Sequence, residues 1–169
     1  MSLHKSHRKT KGFVILVLSL IALLTMARIF CGTLFYVNRT DSAPHGIYIP
    51  TIDQALHAGD FVIVELPVDV PALHVGKGFL LLKQVRGFAG DGYEVTENHL
   101  RVGGREYPIH RREGLPQQEK GSCVVPEGKL LLLNDTEDSF DSRYLGPMEE
   151  RLVRKKVRLW INLEGWWSL

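Results

Sequence analysis

Residues 79–91 read Phe-Leu-Leu-Leu-Lys-Gln-Val-Arg-Gly-Phe-Ala-Gly-Asp. The first eight lack the alternation of a half-buried strand: apolar side chains fall on both faces, as in a strand inside a sheet. Lys83 sits in the middle of that run. An ammonium there loses its water, and desolvation favours the neutral amine, a competent general base. An edge strand, or a side chain that snorkels to solvent, would leave it an ordinary lysine. Working outward, similar short runs rich in β-branched and aromatic residues lie at 46–50, 61–66, 93–96, 100–102, 106–110, 129–133 and 157–163. Gly, Pro, Asn and Asp punctuate them, and Val102-Gly103-Gly104-Arg105 suits a two-residue hairpin turn. Residues 54–57 and 147–153 are expected as short helices. The expectation is a mainly β protein, one compact antiparallel β domain built as a barrel or folded sheet.

The chain has 169 residues, 44% hydrophobic and 24% charged, which suits one globular domain and excludes disorder or a disulfide-stapled miniprotein. Its net charge of +2 hides an asymmetry: the only charged residues among 1–40 are Lys5, Arg8, Lys9, Lys11, Arg28 and Arg39, all basic. The remainder therefore carries a net negative charge, which argues against nucleic acid as a partner. Residues 13–27 read FVILVLSLIALLTMA, and a second apolar patch runs to Val37. With a basic flank before it, this pattern predicts a transmembrane anchor, or a cleaved signal segment, with the N-terminus cytoplasmic. The expected organisation is a basic tail over 1–12, the membrane segment over 13–37, and an exported domain over 38–169 on the periplasmic side of the inner membrane. Cys31 falls in the membrane segment, and Phe30 before it spoils a lipoprotein attachment site; Cys123 reads as a buried small hydrophobe. A bridge between the two cysteines stays open.

Two further segments look chemically organised. Asp41-Ser42-Ala43-Pro44-His45-Gly46-Ile47-Tyr48 would place the Ser42 hydroxyl on a tight turn, or would merely be a polar linker. Residues 134–146, Asn-Asp-Thr-Glu-Asp-Ser-Phe-Asp-Ser-Arg-Tyr-Leu-Gly, form a dense loop of hydrogen-bonding groups entered from an apolar strand, or a plain solvated acidic loop.

Together with Gly59-Asp60-Phe61-Val62-Ile63-Val64, these blocks stand in an order that resembles the type I signal peptidase family. The Pro, Gly and Tyr spacing after Ser42 is closer to its conjugation-associated TraF-type branch. The nucleophile block carries Ala43 where ordinary signal peptidases have Met, and the last block is entered through Leu133-Asn134-Asp135 rather than Gly-Asp-Asn. The resemblance implies a membrane-anchored serine peptidase with Ser42 as nucleophile and Lys83 as base. It implies the Thr40 hydroxyl as second oxyanion donor beside the Ser42 amide, Ser139 orienting Lys83, and Asp141 pairing with Arg143. In the TraF branch the equivalent of Asp141 is tied more directly to activity, so Asp141 joins the catalytic candidates. No cofactor and no metal are implied. The implied substrate is an exported precursor, a pilin handled during conjugative transfer, with membrane lipid and type IV secretion components as partners. The acyl-enzyme could be resolved by water or by the pilin's own N-terminus, giving a cyclic product.

Alternatives remain at this stage. A general signal peptidase would remove leaders from many proteins, and a non-catalytic membrane-tethered scaffold would need neither Ser42 nor Lys83. A Ser-His-Asp site could recruit His45, His99 or His110, and Cys123 could be a thiol nucleophile. A self-cleaving repressor is disfavoured by the export segment. The basic run around Arg154, Lys155 and Lys156, with Trp160, Trp166 and Trp167, could rest on head groups, or be an edge strand with solvated charges and packed aromatics.

Overall fold

In the computed structural model, residues 3–31 and 33–166 are described. The chain divides into two units, Met1–Phe35 and Tyr36–Leu169. The first is a single helix, α1 (Leu3–Cys31). Its apolar side chains from Phe13 to Met26 are exposed, Phe13 and Leu16 each by 66%. Among the described residues no helix is long and apolar enough to cross a membrane.

The second unit holds eleven strands: β1 (Tyr36–Asn38), β2 (Gly46–Pro50), β3 (Phe61–Glu65), β4 (Leu80–Gly87), β5 (Gly92–Val95), β6 (His99–Val102), β7 (Arg105–Pro108), β8 (Gly121–Val124), β9 (Lys129–Leu133), β10 (Met148–Glu149) and β11 (Val153–Asn162). A short helix α2 (Ser142–Leu145) follows β9. The strands form a seven-stranded sheet in the order β1-β2-β11-β3-β4-β9-β10 and a four-stranded sheet in the order β7-β6-β5-β8. Every pairing is antiparallel.

β9 explains how the two sheets share one interior. Leu131 and Leu133 join Tyr93, Val95, Leu100 and Tyr107 of the small sheet. Leu130 and Leu132 point the other way, into Val62, Val64, Val85 and Met148. A stretch buried on both faces must be apolar at every position, as the four leucines 130–133 are. β4 lies between β3 and β9, so the edge-strand reading of Lys83 does not hold. The Val102–Arg105 hairpin is as expected, with Gly103 at φ 55° and Gly104 at φ 74°. Two positive φ values in a row match the strands' right-handed twist and strain any residue but glycine.

Several expectations need correction. Residues 54–57 are not helical, and 147–153 contain strand β10 and a single 3-10 turn, Glu150–Leu152. The basic run is not an edge strand: β11 lies between β2 and β3, where Arg154 pairs with Glu65 at 2.6 Å and Lys156 with Asp60 at 2.7 Å. Its tryptophans are not packed aromatics, since Trp160 is 58% and Trp166 75% exposed. Trp167 lies outside the described residues, as does the side chain of Cys31. Cys123 is a free thiol and half-buried rather than buried.

Candidate active site

The turn between β1 and β2 is organised by one side chain, Asn38, which is almost wholly buried. Its Nδ2 donates to the carbonyls of Thr40 at 2.9 Å, Ala43 at 2.9 Å and Pro44 at 3.2 Å. Its Oδ1 accepts from Thr40 N at 3.3 Å and Thr40 Oγ1 at 2.8 Å. Tyr48 Oη closes the same turn from β2 by donating to Pro44 O at 2.9 Å. Gly46 has to be glycine there, because a Cβ would meet the Ile161 carbonyl oxygen of β11 at 2.3 Å. The turn thus holds the Ser42 hydroxyl 3.0 Å from Thr40 Oγ1. A third point of support comes from the last loop, where Thr136 Oγ1 donates to Ser42 O at 3.1 Å.

Lys83 reaches the same place from the middle of the large sheet. It pairs in register with Val62 and is 3% exposed. Its Nζ donates to Ser139 Oγ at 2.8 Å. Burial pushes the amine down from 10.5 to about 8, with the Asp141 carboxylate opposing and the Arg143 guanidinium assisting. Burial thus moves the amine in the direction a general base needs. Asp141's negative charge keeps part of the proton affinity that burial alone would remove.

The loop from Asn134 to Arg143 fixes these groups. Asn134 brackets Lys83 on β4: its Nδ2 donates to Leu82 O at 3.0 Å and its Oδ1 accepts from Gln84 N at 3.1 Å. Asp141 caps α2 and takes bonds from Arg143 N at 3.1 Å, Arg143 Nε at 2.8 Å and Asn134 N at 3.1 Å. Arg143, fully buried like Asp141, also donates to the carbonyls of Asn134 at 2.6 Å, Glu137 at 2.9 Å and Pro108 at 3.1 Å. Every arm of the guanidinium finds a partner, so a buried charge pair that would otherwise be costly becomes the rivet of the loop.

Ser42, Thr40 and Lys83 line one cavity of about 470 Å³ whose wall is otherwise largely apolar, including Tyr36, Ile63, Leu82 and Phe140. Ser42 also borders a second, polar cavity of about 530 Å³ with His45, Gln84, Asp135 and Glu164. Ser42 and Lys83 thus line one space, while Ser42 Oγ lies against Thr40 and Lys83 Nζ against Ser139. His45 places Nε2 2.9 Å from Asp41 Oδ1, and His110 lies 4.0 Å from Glu137. Neither imidazole is hydrogen-bonded to Ser42, whose hydroxyl faces Thr40. Cys123 lies on β8 of the small sheet. No group of His, Cys, Asp or Glu among the described residues could hold a metal ion.

Ser42, Thr40 and Lys83 line one cavity, and Ser139, Asp141 and Arg143 lie in the loop that meets Lys83, whereas His99 and Cys123 lie on the small sheet. Asn38 and Thr136 were not given roles, and Asn134 was noted only as part of a block. Asn two residues before Thr40 is an Asx-turn signal that could have flagged the first; the other two bond to backbone atoms distant in sequence and carry no local mark.

In this mainly β fold a buried lysine and a half-buried serine line one cavity. The signal peptidase family, peptidase S26, matches residues 10–161. The chain belongs to that family and is a serine peptidase. Signal peptidase IB of Staphylococcus aureus strain Mu50 is 28% identical over 157 residues, covering 75% of this chain and 82% of that protein. The conjugal transfer protein TraF of Agrobacterium tumefaciens strain 15955 is 28% identical over 162 residues, covering 85% of this chain and 90% of that one. A crystal structure of a signal peptidase I from Enterococcus faecalis V583 aligns with TM-score 0.42 and 20% identity, over 64% of this chain and 100% of the other.

Proposed function

We propose that this chain is a membrane-anchored endopeptidase that processes an exported precursor with a Ser42–Lys83 dyad. The observation that carries it is that the buried Lys83 and Ser42 line one largely apolar cavity. Ser42 Oγ attacks the scissile carbonyl carbon and its proton passes to neutral Lys83. The carbonyl π pair becomes the oxyanion, which takes hydrogen bonds from the Ser42 amide and the Thr40 hydroxyl. Protonated Lys83 then returns its proton to the leaving amine. Ser139 aims the amine, and Asp141 with Arg143 holds the loop that carries Ser139. Asp141's charge also stabilises the protonated Lys83 that forms after attack.

A precursor leaving the bilayer would meet this site if residues 13–37 hold the domain at the membrane. The exposed apolar side chains of α1 suit lipid contact, and the basic residues before them suit the cytoplasmic face. The kinship with a conjugal transfer protein supports a pilin precursor as substrate. The kinship with signal peptidase IB supports the second reading, general removal of leader peptides. Incubation in liposomes with a pilin precursor and with an unrelated preprotein, followed by mass spectrometry, separates the two. Cleavage of the pilin alone supports the first, equal cleavage the second, and a product lighter by one water marks cyclisation. Ser42→Ala and Lys83→Ala should each abolish processing with the fold retained; activity in either variant rejects the dyad.

A further inference from the structure

Between two hydroxyls 3.0 Å apart either oxygen can be the donor, but here the surroundings decide which. Asn38 Nδ2 faces three carbonyl oxygens, and its Oδ1 faces the Thr40 amide N–H. Turning that amide over would set oxygen against three oxygens and N–H against N–H, so its orientation is fixed. Oδ1 accepts and cannot donate. Thr40 Oγ1, 2.8 Å from it, must then give its only proton to Asn38. What Thr40 presents to Ser42 is a lone pair, and the hydroxyl between them belongs to Ser42.

We propose that Asn38 is a positioning residue that sets the direction of the hydroxyl chain Ser42→Thr40→Asn38, parking the nucleophile's proton on Thr40 until substrate arrives. This rests on the dyad reading above and extends it. It accounts for the absence of a hydrogen bond between Ser42 Oγ and Lys83 Nζ although the two share a cavity. When the oxyanion forms, it attracts the Thr40 hydroxyl proton away from Asn38. Thr40 Oγ1 turns from acceptor toward Ser42 into donor toward substrate, and the Ser42 proton is released to Lys83. One rotation completes the oxyanion hole and frees the nucleophile together. Asn38 touches none of the reacting atoms in this scheme and acts only through Thr40.

The test is a double-mutant cycle in the full-length protein, with whichever of the two precursors above it processes. The variants are Asn38→Ala, Thr40→Val and the pair, with single-turnover rates and KM measured for each. The expected result is a loss of at least tenfold in rate for Asn38→Ala with KM within about threefold, and nearly no further loss when it is added to Thr40→Val. Losses that multiply would mean that Asn38 merely braces the turn, and would overturn the proposal. Should Asn38→Ala fail to fold, neutron diffraction of the unmutated protein locates the two hydroxyl deuterons: Thr40's directed at Asn38 Oδ1 with Ser42's directed at Thr40 Oγ1 supports the proposal, and a Thr40 deuteron directed at Ser42 overturns it. The dyad is judged separately: if Ser42→Ala remains active, that reading fails, whereas an inactive Ser42→Ala with multiplying losses sinks only the role of Asn38.

Discussion

Lys83 shows how one buried residue couples stability to reactivity. Its amine is lowered to about 8 because burial disfavours the charge, yet at neutral pH most molecules still carry the proton. Processing should therefore rise about tenfold per pH unit below that value and level off above it, as measured by initial rates between pH 6 and 9.5. The same shift acts on folding with a definite sign. Between about 8 and 10.5 the unfolded chain binds a proton that the folded chain does not, so stability rises with pH through that window. Below about 8 the folded protein carries the full penalty. Replacing the ammonium by an apolar side chain of similar length removes it, so Lys83→Met should be inactive yet more stable at pH 7. The gain is bounded by about 3 kcal/mol and is read from urea melts at pH 7, where an unchanged or lowered midpoint would contradict the burial argument. In the variant the rise of stability above pH 8 should also vanish.

At the scale of elements, the loop entering α2 depends on a charge pair rather than on apolar burial. Arg143 bridges Asp141, the carbonyls of Asn134 and Glu137, and Pro108 at the end of β7, so it fastens both sheets to the Lys83 side of the site. Arg143→Met leaves Asp141 buried without its counter-charge and should cost about 3–5 kcal/mol in denaturant unfolding. An additional loss of activity beyond the unfolded fraction is expected, because Ser139 would no longer be held against Lys83. How legible these elements were follows from where their specification lies. β9 and β4 could be read from their leucine runs, 130–133 and 80–82, although from Lys83 onward β4 alternates between buried and half-buried positions. β1, β8 and β10 escaped notice because β1 runs on from the apolar segment that ends at Val37, while β8 and β10 are four and two residues with no apolar run to mark them. The expected helices at 54–57 and 147–153 failed for a related reason: Gln54 gives its side chain to the backbone of Thr51 and Lys156, and Met148 and Glu149 pair with β9, so tertiary hydrogen bonds override local propensity. Ser42 and Lys83 were legible through their chemistry and order. Asn38 and Thr136 were not, since their roles are hydrogen bonds to backbone atoms that only the folded turn brings near.

On the scale of the whole molecule, the buried apolar clusters found among the described residues are built from the unit Tyr36–Leu169. Folding of the β unit should then be independent of the helix, while delivery to substrate should not. A protein lacking residues 1–35 should melt within a few degrees of the full chain in detergent, because no core contact is lost. If the helix anchors the domain as proposed, it raises the local concentration of the site at the bilayer, so the same truncation should slow processing of a liposome-embedded precursor by tenfold or more. Cleavage of a short soluble peptide carrying the same site should change by less than about threefold, since the catalytic groups all belong to the β unit and effective concentration no longer enters. If the truncated protein processed the embedded precursor at the full rate, the helix would have no part in presenting the substrate. A truncated protein that failed to fold would instead place part of the core in α1, against the division of the chain into two units.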